Sequence, residues 1–244
     1  MVALALLSGR SGWADCRPDG LRLFPAPGST VPTNTQLILE GVGKDQPKVA
    51  ALVGTQLVLE GPDDLVPVKV SRGWISTRHR IAVVLKPVRR LKADSVYQLL
   101  LDSAVPEYTM LEGPTEPPRW KTGANADTTG PRATIKPAIF EGLYRSEGDQ
   151  LTRLLKVRTE LVDESPIYLV VTLKRVRGPA GVQSYFVPLN GGVGTFGHDG
   201  CSGSFTFDDG RAYRGTFLAV DASGNQGAVS PALEFQAPRQ EPTP

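Results

Sequence analysis

The chain has 244 residues, of which 40% are hydrophobic and 21% are charged, the composition of an ordinary globular protein. Its formal net charge of +2 excludes the class of proteins that hold nucleic acid through a strongly basic face. The 26 glycines and 21 prolines are too many for a helical protein and favour short strands joined by turns. At this length, two domains of about 100–120 residues each are expected.

The N-terminal segment is typical of a secretory signal that lacks its basic first part. A short apolar run at residues 2–7 precedes a polar stretch, and Gly12 and Ala14 stand where small residues precede a cleavage site before Asp15. We therefore expect residues 1–14 to be a signal peptide and the protein to be exported to the periplasm, the cell surface or the medium. A wrongly assigned start of the chain is the alternative. No apolar run approaches the roughly 18–20 residues that span a bilayer, so no transmembrane segment is predicted.

Strand signals recur at short intervals through the first half of the chain. Apolar and polar residues alternate, so that Leu37 and Leu39 share one face, which is the period of a half-buried strand. Stretches with turn chemistry, such as "PAPGST" and "GPDD", separate these runs. The pattern predicts strands at 21–24, 35–41, 48–52, 55–60, 66–71, 79–87, 96–102 and 119–122.

A second series of strand signals follows the polar stretch "TGANADTTGPRA" at residues 122–133. Asp209 and Gly210 form the turn sequence of a tight hairpin between two of its strands. Only residues 148–155 have the pattern of a helical turn. Strands are predicted at 132–140, 153–161, 166–176, 183–189, 203–207, 211–221 and 232–236.

Two consecutive runs of about seven short strands predict the fold class, which is all-β with two tandem Ig-like β-sandwiches. The first sandwich is expected at residues 15–125 and the second, Ig-like or fibronectin-type, at 131–237. The Pro-rich polar tail at 238–244 is expected to be disordered. A single large barrel is the alternative, but it would not need the polar break between the two runs.

Three stretches of the first half carry a resemblance to a known family. They are "LFPAPGSTVPTNTQLIL" (23–39), "LKADSVYQLLLD" (91–102) and "RWKTGANADTTGP" (119–131). They resemble the bacterial Ig-like domains of surface-layer and other exported proteins, in which a Leu and a Tyr form a corner before a late strand; Leu91 and Tyr97 fit it. The stretch "AVDASGN" (219–225) resembles fibronectin-type or Ig-like repeats. The resemblance implies a sandwich fold and an exported setting, and it implies no reaction.

The glycine-rich stretch "FGHDGCSGSF" at 196–205 raises the question of catalysis, since it holds a histidine, an aspartate and a cysteine. His198 lies close to Cys201 in sequence, whereas catalytic pairs normally come from distant segments. Ser204 stands where the Gly-x-Ser-x-Gly elbow requires glycine, and no helix pattern follows it. We predict a structural loop leading into a strand and no catalytic residue. A hydrolase centred on Cys201 or Ser202 is the less favoured alternative.

The two cysteines, Cys16 and Cys201, are an even number, which in an exported protein indicates a disulfide. The bridge would close a loop of 184 intervening residues, worth roughly 5 kcal/mol in the chain-entropy model. The alternative is that the two thiols do not pair.

No cofactor or metal site is predicted. "DASGN" (221–225) could contribute to a calcium loop, but too few oxygen ligands surround it, so a hairpin turn is expected. Two histidines and two distant cysteines do not make a zinc site. The basic stretch at 78–92 is interpreted as the solvated face of a strand and its turn rather than as a site for an anionic polymer. Trp74, Trp120 and Tyr185 are the candidates for stacking on sugars, although Trp120 is expected to be buried at the domain boundary.

Taken together, the sequence predicts a non-catalytic exported protein that acts as an envelope or cell-surface binding or adhesion module. Its expected partner is an envelope protein or a glycan, and no nucleic acid. A structural spacer without a ligand is the main alternative. The sequence predicts no oligomeric state.

Overall fold

A computed structural model describes residues 19–113, 117–147, 150–179 and 181–240, with the side chains of 133–136 left out. The prediction of an all-β chain is confirmed, since the chain is 54% strand and 4% helix. Within the described ranges, neither helix is long and apolar enough to cross a membrane. The predicted signal peptide at 1–14 lies outside the described residues, so export stays a prediction.

Eight strands of the first half join into one sheet in the order β1-β3-β6-β5-β4-β7-β8-β2, with β2 and β8 parallel. Its inward side chains form one apolar core that includes Leu39, Val68, Val83 and Tyr97. The strands are β1 (Gly20–Phe24), β2 (Thr30–Val31), β3 (Leu37–Val42), β4 (Gln56–Glu60), β5 (Leu65–Ile75), β6 (Arg80–Pro87), β7 (Val96–Leu100) and β8 (Arg119–Thr122).

The strand predicted at 48–52 is wrong, because this segment belongs to a helix. A 3₁₀ turn at Gly43–Asp45 leads into α1 (Gln46–Ala51), which has proline in its first turn and two alanines after it. Val49 of α1 is fully buried against β3. Gly41 of β3 makes this approach possible, since a Cβ there would lie 2.7 Å from Val49 Cγ2.

The second half is a sandwich of a three-stranded sheet, β13-β10-β9, and a five-stranded sheet, β12-β11-β14-β15, in which β16 also pairs with β14. Aromatic rings dominate its core, among them Phe196, Phe205, Phe207 and Phe217. The strands are β9 (Arg132–Glu147), β10 (Gln150–Val162), β11 (Ile167–Arg175), β12 (Val182–Pro188), β13 (Val193–His198), β14 (Ala212–Asp221), β15 (Gln226–Val229) and β16 (Leu233–Gln236).

The strand predicted at 203–207 does not form, although the alternation that suggested it is real. Phe205 and Phe207 both point into the core, but the side chain of Gln183 takes the place of a neighbouring strand. The Gln183 amide oxygen accepts a hydrogen bond from the Thr206 N–H at 2.9 Å, and its NH₂ donates to the Thr206 carbonyl at 3.2 Å. The turn at Asp209-Gly210 is present but joins no hairpin, because no strand precedes it. The helical turn predicted at 148–155 is also wrong from Gln150 onward, where β10 begins.

Each half contains a tyrosine corner, a hydrogen bond from the backbone to a buried tyrosine hydroxyl that is typical of Ig-like sandwiches. In the first half, the Lys92 N–H donates to Tyr97 Oη at 3.0 Å, as the predicted corner requires. In the second half, the Asp208 N–H donates to Tyr213 Oη, also at 3.0 Å. The donor precedes the tyrosine by five residues in both halves.

The sheets of the two halves do not share a strand. The first sheet ends at Thr122 and the next strand begins at Arg132. The division into independently folding domains at 15–125 and 131–237 stays a prediction. Of the predicted disordered tail, Pro238 lies against the second sandwich, where its carbonyl accepts a hydrogen bond from Arg153 Nε at 3.1 Å. Residues 241–244 lie outside the described part of the chain.

Candidate functional site

The two halves meet in an interface that is packed like a protein core. Phe24, Ile38 and Ala82 of the first half belong to the same buried apolar cluster as the centre of the second sandwich. The Phe24 ring lies edge-on to Tyr168, with ring centroids 5.3 Å apart. Ring pairs in this arrangement stabilise a contact beyond the area they bury. The interface therefore holds the two halves in one fixed arrangement.

A buried carboxylate lies at the centre of this interface. Glu40 of β3 is only 3% exposed and accepts a hydrogen bond from Tyr185 Oη of β12 at 2.8 Å. Arg22 Nη1 donates to the Glu40 Oε2 atom at 3.2 Å, and Arg80 Nη1 lies 3.9 Å from Glu40 Oε1, the oxygen that accepts the Tyr185 hydroxyl. A buried charge requires such partners, because it has lost its contact with water.

Burial raises the pKa of Tyr185 well above its usual value, and the negative charge of Glu40 acts in the same direction. The phenol is therefore protonated over the physiological pH range and remains a hydrogen-bond donor. Because its hydroxyl is the donor and the carboxylate the acceptor, this bond across the interface is charge-assisted and stronger than a neutral one.

The glycine-rich stretch at 196–205 is part of the same interface. Its first residues belong to β13, which ends at His198, and the loop follows. In the loop, the Gly203 N–H donates to the Arg78 carbonyl of the first half at 2.9 Å. The Arg80 guanidinium donates to Ser202 Oγ at 3.2 Å. Asp199 shapes the turn, since its carboxylate accepts hydrogen bonds from two successive backbone N–H groups, those of Cys201 and Ser202. The predicted structural loop is present, but a strand precedes it rather than follows it.

The polar side chains of this loop make structural contacts, except that His198 Nε2 is buried without a hydrogen-bond partner among the described residues. His198 is fully buried, and its Nδ1 lies 3.2 Å from the Asp199 carbonyl oxygen. Burial lowers the pKa of His198, and the Arg78 charge lowers it further, so the imidazole is neutral at pH 7. Ser204 Oγ accepts a hydrogen bond from the Gly197 N–H at 3.2 Å. The absence of a catalytic residue nevertheless stays a prediction.

Cys201 is half-buried in this loop, 3.7 Å from Gln150 Nε2. Its predicted disulfide partner, Cys16, lies outside the described residues. The Cys16–Cys201 bridge therefore stays a prediction, to be tested by labelling the unreduced, denatured protein with a thiol reagent.

We expect Gly203→Ala to destabilise the protein by about 2–3 kcal/mol, because the loop has no room for a side chain at this position. A Cβ there would lie 2.3 Å from the Gly197 carbonyl oxygen and 2.4 Å from His198 Cα, both of which are backbone atoms. The free energy of unfolding in urea, followed by fluorescence, measures the loss.

Gly181→Ala is the matched control, since a Cβ at Gly181 meets no atom within 4 Å. This variant should stay within about 0.5 kcal/mol of the wild type. A Gly203→Ala protein as stable as the Gly181→Ala protein would contradict the tight packing of the loop.

A second set of contacts ties the segment between the halves to both of them. Asn34 Nδ2 donates to the Asp127 carbonyl at 2.7 Å, and the Asp127 N–H donates back to Asn34 Oδ1 at 2.9 Å. Ser223 Oγ also donates to Asn34 Oδ1, and Asn225 Nδ2 donates to the Asp127 carbonyl. Three of the four sequence stretches that carry the Ig-like resemblance, those at 23–39, 119–131 and 219–225, thus converge on one junction.

Three carboxylates lie together at this junction. Side-chain oxygens of Asp127, Asp163 and Asp221 are within 4.8 Å of one another, and carboxylate oxygens are the ligands that Ca²⁺ and Mg²⁺ prefer. All three already accept hydrogen bonds: Asp127 from Ser165 Oγ, Asp163 from the Ser165 N–H and Asp221 from the N–H groups of its turn. The hairpin turn predicted at 221–225 is present, and its position is explained without an ion.

The three carboxyl groups differ in acidity. Burial raises the pKa of Asp163, and the charges of Asp127 and Asp221 raise it further. Burial also raises the pKa of Asp221. The pKa of Asp127 is lowered instead. Burial acts to raise this pKa, but the hydrogen bonds from Ser165 and Thr129 to the Asp127 carboxylate outweigh the effect of burial. The ionised form of Asp163 is thus disfavoured in the folded protein.

We expect Asp163→Asn to reduce the loss of stability that the wild type shows as the pH rises from about 4 to 7. A carboxyl group whose pKa is raised by folding binds its proton more tightly in the folded than in the unfolded chain. Its contribution to stability is present below the unfolded pKa and is lost as the pH rises through the folded one. Asparagine keeps the acceptor for the Ser165 N–H at 2.8 Å and cannot ionise.

The measurement is the free energy of unfolding of both proteins at several pH values in this window. Asp102→Asn makes the same change at an exposed position outside the junction and is the control. If the free energy of unfolding changed with pH in the same way in the wild type and in Asp163→Asn, the raised pKa of Asp163 would be contradicted.

A cleft of about 610 Å³ opens along the interface and is lined by both halves. The first half contributes Arg22, Glu40 and Arg80 to its floor. The second half contributes polar side chains of the β9–β10 hairpin and of β13, including Thr195, which is exposed. Charged side chains of both signs and apolar side chains line the cleft together, so it offers hydrogen-bonding groups to a polar ligand beside apolar surface.

The basic stretch at 78–92 does not form a continuous cationic patch. Arg89 Nη2 lies 2.7 Å from Asp64 Oδ2, and Lys92 Nζ lies 3.5 Å from Asp63 Oδ2. Arg80 was expected on the solvated face of a strand, but its side chain is only 18% exposed because it turns into the interface. The remaining predicted cations are Arg78, Lys86 and Arg90.

Two of the three candidates for stacking on a sugar are buried, and the third, Trp74, is half-buried. Tyr185 is 1% exposed and Trp120 is 2% exposed, so neither ring can be covered by a ligand. Trp120 is buried as expected, and its Nε1 donates to the Pro25 carbonyl at 3.0 Å. Trp74 packs against Phe186 in the interface, with ring centroids 5.4 Å apart.

No protein-family model matches the chain, and no curated protein matches it. Among solved structures, the FN1-FN3 domains of chicken CNTN1 align with a TM-score of 0.28 and 11% sequence identity. The alignment covers 91% of this chain and 66% of that chain, so the protein spans a little less than two thirds of the matched structure. Similarity at this level assigns neither a family nor a function, and the resemblance to bacterial surface-layer Ig-like domains stays a prediction.

Proposed function

We propose that this protein is a non-catalytic, exported binding module of the cell envelope or surface, in which two β-sandwiches act as one rigid body. The observation that carries the proposal is the interface, where buried Glu40 accepts the Tyr185 hydroxyl at 2.8 Å inside a shared apolar core. Domains joined by a flexible linker usually move relative to each other, whereas a packed, hydrogen-bonded interface fixes their orientation.

The cleft between the halves supports a binding role, because its shape depends on that fixed orientation. A ligand that bridges the walls would meet a preformed surface and lose little free energy to ordering the protein. The partner expected from the sequence, an envelope protein or a glycan, has the polar groups that such a cleft can bind.

The non-catalytic part of the proposal is supported by the loop at 196–205. The neutral imidazole of His198 faces a backbone carbonyl, and Ser202 accepts a hydrogen bond from the Arg80 guanidinium. General-base catalysis needs an imidazole within reach of the hydroxyl or thiol that it activates. Loss of a measurable hydrolytic activity in a folded Cys201→Ala variant would overturn this part.

The second candidate function is that of a spacer without a ligand. The rigid interface favours a spacer as much as it favours a binding module. A pull-down from envelope extract, run beside a glycan array, separates the two functions. Thr195→Arg places a long cation in the cleft and should abolish capture, whereas Thr30→Arg, an exposed threonine outside the cleft, should retain it. Capture that is unaffected by Thr195→Arg would refute the cleft as the site, and no capture by the wild type would favour the spacer.

A further inference from the structure

The strand β9 is a long free edge. Among the described strands it pairs with β10 alone, at one side of the three-stranded sheet, and it runs for 16 residues from Arg132 to Glu147. A groove of about 1070 Å³ borders it, between residues 139–144 and the segment around β16. An exposed edge of this length presents unpaired backbone groups to any strand that can approach it.

The side chains near the end of β9 alternate between two faces. Gly142 and Tyr144 pair with Leu155 and Arg153 of β10, which point inward. Glu141, Leu143 and Arg145 therefore point outward, and they are exposed. Leu143 is 45% exposed, so apolar surface lies uncovered at this edge.

We propose that two copies of this chain dimerise by antiparallel pairing of their β9 strands, with Leu143 on the two-fold axis. This register places Glu141 of each copy opposite Arg145 of the other, so two complementary charge pairs flank a Leu–Leu contact. On the inner face, Gly142 of each copy lies opposite Tyr144 of the other, beside Pro238, whose Cγ would lie 3.4 Å from a Cβ at Gly142. Opposite charges and an aromatic ring beside a small residue are favourable cross-strand neighbours.

Neighbouring registers lack this complementarity. If the two-fold axis passed through Tyr144 instead, Glu141 of one copy would lie opposite Glu147 of the other, and these are two like charges on the same face. If the axis passed through Gly142, Glu141 of one copy would lie opposite Leu143 of the other, and Arg145 would have no charged partner on the facing strand. The sequence of the edge therefore selects one register, and self-complementarity about one residue is what a two-fold interface requires.

The charges of the edge are available for this pairing. The side chains of Glu141 and Arg145 are 48% and 65% exposed, and each forms an ion pair within its own chain, with Lys156 and Glu147 respectively. Exposed ion pairs of this kind are weak, and the Arg145 guanidinium has donors for a second carboxylate. A partner strand can thus add Glu141–Arg145 pairs without breaking a buried one.

The test is the mass of the purified full chain by light scattering after size-exclusion chromatography, up to about 1 mM protein. The wild type should show a concentration-dependent rise toward about 2-fold the monomer mass. Glu141→Arg places two arginines opposite each other at both ends of the contact, so this variant should remain monomeric. Arg145→Glu places two glutamates opposite each other in the same way and should also remain monomeric. The double variant Glu141→Arg/Arg145→Glu restores opposite charges and should dimerise again.

Glu60→Arg, which makes the same charge change on an exposed strand residue of the first half, is the control and should dimerise like the wild type. Circular dichroism of each variant confirms that it is folded. A wild type that stays monomeric over the whole range would overturn the proposal. So would a folded Glu141→Arg protein that dimerises as the wild type does.

Discussion

Phe196→Ala should destabilise the second sandwich by about 3–5 kcal/mol, since removing a fully buried aromatic ring leaves a cavity that a packed core fills only in part. Phe196 of β13 is 1% exposed, and four rings surround it. Their centroids lie between 5.8 and 6.2 Å from its own, at Phe205, Phe207, Phe217 and Phe235. Urea unfolding measures the loss, and the near-ultraviolet circular dichroism of the variant should weaken as the aromatic packing loosens.

Phe140→Ala is the matched control for this change. The Phe140 ring is 44% exposed and lies under the Arg158 guanidinium, 4.5 Å from ring centroid to Cζ. Its removal loses about half of the area that a fully buried ring loses and one exposed cation–π contact, so a cost of about 1–2 kcal/mol is expected. Equal losses for the two variants would show that the second core is not organised around Phe196.

Much of the strand pattern could be predicted, because alternation reports directly on which residues face the core. Leu37 and Leu39 do share one face of β3, although β3 is buried on both faces rather than half-buried, and Val68 and Val70 share the buried face of β5. The Leu91–Tyr97 corner was also recognisable, since it depends on a fixed short spacing. Such features are local, and the chain forms them wherever the neighbouring strands supply a core.

The errors in the predicted elements have separate physical causes. Residues 48–52 contain valine and leucine and so look like a strand, but Pro47 and the alanines favour the helix that forms. The strand β13 was missed because Gly194 and Gly197 interrupt its apolar pattern. Gly197 is needed there, because its φ of 127° lies outside the range that other residues readily adopt.

The interface could not be predicted, because its contacts join residues far apart in the chain. Glu40 and Tyr185 are separated by 145 positions, and no local spacing links them. One signal was nevertheless present: Glu40 is a charged residue inside the strand "LILEGV", all of which is buried. A carboxylate in such a strand requires a partner, and the sequence offers no hint that the partners are Tyr185 and two arginines.

Glu40→Ala should cost about 3–5 kcal/mol in the free energy of unfolding, the range found when one member of a buried charged network is removed. The Tyr185 hydroxyl, in a residue that is 1% exposed, loses its acceptor. Arg22 and Arg80, whose side chains are 20% and 18% exposed, lose the negative charge that they face. Because both arginines would then face the second half with less compensating negative charge, the variant should also show a larger radius of gyration by small-angle scattering, as the two halves lose their fixed orientation.

Tyr185→Phe and Glu60→Ala complete the experiment. Tyr185→Phe keeps the ring and the two arginines beside Glu40 and removes one hydrogen bond, so a loss of about 1–3 kcal/mol and an unchanged radius are expected. Glu60 is an exposed glutamate of β4, and its replacement should change stability by about 0.5 kcal/mol at most. If Glu40→Ala were as stable and as compact as Glu60→Ala, the buried network would not be what holds the halves together, and the apolar contacts of Phe24, Trp74 and Phe186 would have to account for it alone.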